Sequence, residues 1–212
     1  MTHLLFDLDG TISDPGVGIR NGYRAAFEAV DMEPPDDQTI DAWIGPPLRE
    51  AFPKLGIAEH RVEDAVQGYR SVYRETGWLE NVLYTDMPSV LESLAVEGSL
   101  AIATAKPQEL ARQILAHFEL DHHFEFIGGA SLDAQRDTKS AVIRHVLDQL
   151  PSGEALMIGD RKTDILGAID NGLMAIGVTW GYGSREELLD AGASDVVDSP
   201  KELLSLLQTK RT

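Results

Sequence analysis

Cysteine is absent from the 212 residues, which excludes a disulfide framework, a zinc–thiolate centre and a cysteine nucleophile. No apolar stretch approaches the roughly 18 residues that a membrane-spanning helix requires. Residues 1–7 are too short for the apolar core of a signal peptide and run straight into acidic residues. A cytoplasmic protein that does not enter a membrane is therefore expected. Positive charge is scarce as well. Lys and Arg number 18 against 35 Asp and Glu, a formal net charge of −17, which argues against nucleic-acid polymers and anionic membranes as partners. An acidic chain that handles an anionic ligand has to gather positive charge locally, from a metal ion, a few placed cationic side chains and backbone N–H groups. What is present is ordinary globular composition, 43% hydrophobic and 25% charged, enough to bury a core without cross-links.

Short apolar runs alternate with amphipathic ones along most of the chain. Residues 1–7, 99–104, 125–128, 155–159, 174–179 and 195–198 read as buried strands, and 86–97, 107–118, 138–149, 162–171, 185–191 and 200–208 read as helices. In 138–149, for example, Ala141, Ile143, Val146 and Leu147, with Leu150 just beyond, leave a polar opposite face. Such alternation predicts an α/β fold, a parallel sheet wrapped by helices with right-handed crossovers. The rhythm breaks between Pro15 and Tyr84, where only helices are expected, around 17–30, 37–43, 47–54 and 59–76, punctuated by Pro34-Pro35 and Gly45-Pro46-Pro47. A two-part chain follows: a core of residues 1–14 and 85–212, and an inserted all-helical subdomain of 15–84.

Two acidic clusters stand at expected strand ends. Asp7 closes the first strand and Asp9 lies two residues on, so in extended chain both carboxylates face the same side, with Gly10 allowing a tight turn. Two such carboxylates divide labour when their environments differ, one ionised and one protonated. An isolated Asp-x-Asp-Gly is also an ordinary Asx turn. Asp160 closes a later strand, with Asp164 one helical turn beyond, a pattern that equally describes a helix cap. The two clusters repeat one arrangement, and Mg²⁺ favours oxygen ligands from a few carboxylates.

With these residues in view, the sequence resembles the haloacid dehalogenase superfamily of phosphohydrolases, in its phosphoglycolate phosphatase-like branch. Asp7-Leu8-Asp9-Gly10-Thr11 is similar to the family's first motif, Thr104 to its second, Lys139 to its third, and Gly159-Asp160 with Asp164 to its fourth. Residues 15–84 resemble the helical cap inserted after the first motif. The resemblance implies a Rossmann-like core and a Mg²⁺-dependent phosphatase acting on a small phosphorylated metabolite. It implies that Asp7 attacks phosphorus to form an aspartyl-phosphate and that Asp9 serves as acid and then base. Mg²⁺ would be held by Asp7, the Asp9 carbonyl and Asp160, with Asp164 in support. The Thr104 hydroxyl and Ala105 N–H, at a helix start marked by Lys106-Pro107, would bind phosphoryl oxygens. Lys139 would supply the positive charge, with Lys106 the other candidate.

Substrate choice would fall to the cap. Arg49, after the stiff Gly45-Pro46-Pro47 loop, could pair with a second anionic group, or could be a solvated helix residue. Trp43 and Trp78 suit packing better than base stacking. Phosphoglycolate, nucleoside 5′-monophosphates and pyrophosphate all remain candidates. A sugar phosphomutase would keep every core motif, and a silent binding module is the alternative from another class. A monomer or homodimer is expected.

Overall fold

The computed structural model describes residues 2–131 and 136–210. The chain forms two compact units, Met1–Asp14 with Leu83–Thr212, and Pro15–Val82. The first unit is built on a six-stranded sheet: β1 (Thr2–Phe6), β2 (Leu100–Pro107), β3 (Phe126–Ala130), β4 (Glu154–Gly159), β5 (Met174–Val178) and β6 (Asp195–Val197). Their lateral order is β3-β2-β1-β4-β5-β6, with every pairing parallel. This is the parallel α/β sheet the alternation predicts and the Rossmann-like core the resemblance implies. The order reverses between β1 and β4, and the crevice at the carboxyl ends of these two strands is where open α/β sheets hold ligands.

Near-continuous apolar runs make these strands because both sheet faces are covered. Leu4, Leu5 and Phe6 are fully buried, as are Met157 and Ile158 beside them. One layer of the core joins Leu5, Ala101, Ala103, Met157 and Ala175 from the sheet to Val142, Ile143, Val146 and Ile165 from helices. The helix Lys139–Gln149 starts where the Thr138 side chain accepts from the Ala141 N–H, 3.2 Å away, and it buries Val142, Ile143 and Val146.

Two local expectations are corrected. The strand expected to end at Thr104 runs on to Pro107, with a register shift against β3 between those residues, and its helix begins only at Gln108. Thr104 and Ala105 therefore lie on an irregular strand end rather than at a helix start. At the other end of the insertion, Val82–Leu83 forms a two-residue strand where none is expected.

The second unit is otherwise helical, with α-helices Gly16–Glu28, Asp37–Asp41, Leu48–Lys54 and Val62–Glu75. Tyr23 meets Phe52 and Tyr69 edge-on, and Phe27 meets Phe52 in the same way, giving this unit its own aromatic core. Lys54 ends its helix with the ammonium 5.6 Å from the centre of the Trp43 ring.

Candidate active site

Asp7 follows the last residue of β1 and Asp160 follows the last residue of β4. Because β1 and β4 pair in register from Thr2 with Glu154 to Phe6 with Ile158, both carboxylates arrive at the same sheet edge. Asp164 comes from the first turn of the helix Lys162–Asp170, where its Oδ2 accepts from the Arg161 N–H at 3.0 Å. Carboxylate oxygens of Asp7, Asp160 and Asp164 all lie within 4.8 Å of one another, and all three residues are buried.

Lys139 is the hinge of this cluster. Its ammonium sits 2.9 Å from Asp7 Oδ1 and 2.7 Å from Asp164 Oδ1, and donates to the Ala103 carbonyl at 3.1 Å. The helix Lys162–Asp170 makes room for it at Gly167, where a Cβ would stand 3.0 Å from Lys139 Cγ. Burial by itself lowers the pKa of an ammonium; the paired carboxylates of Asp164 and Asp7 outweigh that, so Lys139 stays charged.

Lys106 takes a separate place. It lies within the strand irregularity beyond Thr104, its side chain is buried, and its ammonium lies 2.7 Å from Asp9 Oδ2. Its backbone N–H donates to Thr104 Oγ1 at 3.2 Å, which leaves the hydroxyl proton of that buried threonine available to an acceptor. The two lysines thus divide the site, Lys139 with Asp7 and Asp164, Lys106 with Asp9. The pairing of Lys106 with Asp9 is not legible in the sequence, because it depends on a strand that continues past its expected end.

The carboxylates are held differently. Burial raises the pKa of Asp9 despite the opposing pull of Lys106. Burial raises that of Asp160 well above the ordinary range, helped by the neighbouring Asp164 and Asp7. Asp164 is pushed up to about 6, burial outweighing its pairing with Lys139. Asp160 Oδ2 accepts from the Tyr182 N–H at 2.8 Å, whereas Asp160 Oδ1 is buried with no hydrogen-bond partner among the described residues.

A divalent cation fits this donor set. Four carboxylates, those of Asp7, Asp9, Asp160 and Asp164, face the two ammonium groups of Lys106 and Lys139, an excess of two negative charges when all are ionised. A buried oxygen without a partner and an uncompensated double negative charge are the conditions that a hard dication relieves.

Gly10, with φ +84°, lets the turn after Asp9 approach Asp160 closely: a Cβ there would stand 2.1 Å from Asp160 Oδ2. On the other side the Trp180-Gly181-Tyr182-Gly183 loop lies directly against Asp160. Arg49 belongs to the other unit, where it pairs with Glu63 at 2.8 Å, both side chains more than half exposed.

Carboxylates at adjoining strand ends, a buried lysine between them and a cluster of negative charge suited to a dication make an arrangement of the phosphoryl-transfer class. Residues 4–178 match the family model described as haloacid dehalogenase-like hydrolase, and the chain belongs to that family. It is a phosphatase of the family, a phosphoric monoester hydrolase, and its relatives include phosphoglycolate phosphatases. It is 43% identical over 190 residues to a protein of Pseudomonas aeruginosa named 5′-nucleotidase, covering 88% of this chain and 86% of that one. It is 39% identical over 197 residues to the Mycobacterium tuberculosis protein named tyrosine-protein kinase PtkA, covering 92% and 67% respectively. Among solved structures, a predicted phosphatase from Clostridium acetobutylicum superposes with a TM-score of 0.93 at 38% identity, over 98% of each chain. Among the described residues, no helix is long and apolar enough to cross a membrane.

Proposed function

We propose that the chain is a Mg²⁺-dependent phosphomonoesterase for a small phosphorylated metabolite, working through an aspartyl-phosphate on Asp7. The observation that carries this reading is the Lys139 bridge between Asp7 and Asp164 beside the unpartnered Asp160 Oδ1. Such a bridge holds one carboxylate aimed while leaving neighbouring oxygens for a metal.

Asp7, the Asp9 carbonyl and Asp160 would hold Mg²⁺, with Asp164 supporting through Lys139 and the Arg161 N–H. When bound, the ion supplies the charge that lets a carboxylate approach a phosphate dianion. Asp7 attacks phosphorus in line, forming the carboxyl–phosphorus bond as the ester oxygen departs with its electron pair. Asp9, which burial favours in its protonated form, gives its proton to that oxygen. It then takes a proton from the water that attacks phosphorus, which regenerates the Asp7 carboxylate and releases inorganic phosphate. The Thr104 hydroxyl and the Ala105 N–H bind phosphoryl oxygens, and Lys139 offsets the charge that gathers in the transition state.

Residues 15–84 serve as the cap that selects substrate. Arg49 is the residue there proposed to receive a second anionic group. The exchange it needs, out of an exposed pairing with Glu63, costs little because such pairs contribute about 0–1 kcal/mol. The relative named 5′-nucleotidase makes nucleoside 5′-monophosphates the first substrates to try, with phosphoglycolate next.

The test is phosphate release from a panel of small phosphomonoesters, with and without Mg²⁺, by wild type and Asp7→Asn. Metal-dependent release lost in Asp7→Asn supports the reading. Isomerised sugar phosphate without release would assign a phosphomutase instead. Phosphoryl transfer from ATP to protein tyrosine would assign a kinase, and no turnover at all would leave a binding module.

A further inference from the structure

The loop after β5 is the part of the first unit that the phosphatase reading leaves unused, and its contacts converge on one carboxylate. In-register pairing of β4 with β5, Gly159 opposite Gly177, delivers residues 180–183 to the edge where Asp160 stands. The Tyr182 N–H donates to Asp160 Oδ2 at 2.8 Å. Gly181 and Gly183 allow that approach. A Cβ on Gly181 would stand 2.4 Å from Asp160 Oδ2 and 2.3 Å from the Gly10 carbonyl oxygen, and one on Gly183 would stand 1.9 Å from the Asp160 carbonyl oxygen. Each glycine meets a backbone carbonyl oxygen that cannot give way as a side-chain end can, Gly181 that of Gly10 and Gly183 that of Asp160, so both are required by space.

The same loop grips the turn that follows Asp9. The Trp180 indole N–H donates to the Thr11 carbonyl at 3.0 Å, and the Tyr182 hydroxyl donates to the Asp14 carboxylate. One four-residue segment is thereby tied by two side chains to the end of the first acidic motif and the residues just after it, and to the second motif by a backbone N–H. Occupying Oδ2 leaves Asp160 Oδ1 as the oxygen without a partner.

We propose that Trp180-Gly181-Tyr182-Gly183 is a positioning clamp for the metal carboxylate: it fixes the rotation of Asp160 so that Oδ1 is presented to the dication, and it sets the distance between the two acidic motifs. Tyr182 and Trp180 are positioning residues, since neither touches the reacting atoms. The inference rests on the proposed Mg²⁺ role of Asp160. Groups that orient a ligand from outside the coordination sphere typically alter metal affinity about 10–100-fold when removed.

The experiment is calorimetric titration of the full, metal-free chain with Mg²⁺ alone, for wild type, Gly183→Ala, Tyr182→Phe, Trp180→Phe and Ser184→Ala. Gly183→Ala is expected to weaken Mg²⁺ binding about 10–100-fold, and Tyr182→Phe and Trp180→Phe about 3–10-fold. At saturating Mg²⁺ the two aromatic variants recover most of the wild-type kcat. Ser184→Ala removes only the cap on Glu187 N–H; it lowers stability and leaves Mg²⁺ affinity unchanged. Should Gly183→Ala fail to fold, Tyr182→Phe still decides the matter, since it keeps the backbone N–H and loses only the tie to Asp14. Wild-type Mg²⁺ affinity in folded Tyr182→Phe and Trp180→Phe overturns the clamp. A wild type that binds no Mg²⁺ overturns the phosphatase reading beneath it, a distinct outcome.

Discussion

The ammonium of Lys106 lies 2.7 Å from Asp9 Oδ2, so the residue proposed for proton transfer is held by a lysine that is not the one bracing Asp7, the proposed nucleophile. Burial raises the Asp9 pKa, and the charge and hydrogen bond of Lys106 oppose it. Removing Lys106 therefore raises that pKa further. In Lys106→Met, the alkaline limb of the kcat/KM profile, where the general acid is lost, moves to higher pH. Steady-state rates across pH at saturating Mg²⁺ check this; an unmoved limb means that Lys106 does not govern Asp9.

Lys139→Met leaves Asp7 and Asp164 buried without their shared cation. Breaking a buried ion pair by removing one partner costs about 3–5 kcal/mol, so the denaturation midpoint falls accordingly. Loss of transition-state charge stabilisation lowers kcat by about 10²–10³ on the scale of other electrostatic donors. Lys139→Arg does not restore either quantity, because the stem passes Gly167 at close range and the planar guanidinium presents its donors differently. Urea denaturation and kcat measured on both variants test the two effects separately.

Gly10→Ala tests the close approach of the first motif to Asp160. The left-handed φ costs a non-glycine residue about 1–2 kcal/mol, and the added methyl carbon meets Asp160 Oδ2 at 2.1 Å. The variant is expected to melt lower and to lose Mg²⁺ affinity, whereas a surface Gly172→Ala, with nothing near its Cβ, pays only for its own positive φ. Comparing Mg²⁺ binding in the two variants isolates the contribution of the contact.

The metal-free chain should show an inverted acid response over a limited window. Burial pushes Asp164 up to about 6 and raises Asp160 as well, so from the ordinary carboxylate range up to at least about pH 6 the native state binds more protons than the unfolded chain. These groups therefore destabilise the metal-free fold above about pH 6, and the penalty is relieved as pH falls toward 4. Mg²⁺ requires the ionised forms, so its stabilising effect is larger at pH 7.5 than at pH 5.5. Thermal melts at both values, with and without Mg²⁺, give the sign directly; an equal metal shift at both contradicts it.

The alternation of apolar runs made the core legible, because strands buried on both faces read as continuous hydrophobic segments such as Leu4-Leu5-Phe6 and Met157-Ile158. The positions of Asp7 and Asp160 at strand ends were legible for the same reason. What periodicity did not carry was anything decided by closeness in space. The continuation of β2 to Pro107 depends on pairing with β3 across a register shift, and it is this that turns Lys106 toward Asp9. In the Trp180–Gly183 loop, two glycines flanking a tyrosine just past a strand end mark a place where backbone comes close to a neighbour. Only the pairing of β4 with β5 identifies that neighbour as Asp160.

The most direct measurement is an acid quench of a single turnover with p-nitrophenyl phosphate and Mg²⁺, followed by mass analysis of the peptide that carries Asp7. This substrate has a leaving group that needs no proton, so Asp9→Asn should still form the aspartyl-phosphate but hydrolyse it slowly. The expected result is a phosphoryl group on that peptide, transient in wild type, accumulated in Asp9→Asn and absent in Asp7→Asn. Undiminished turnover by Asp7→Asn, or a phosphoryl group on any other residue, would contradict the assignment of Asp7 as nucleophile.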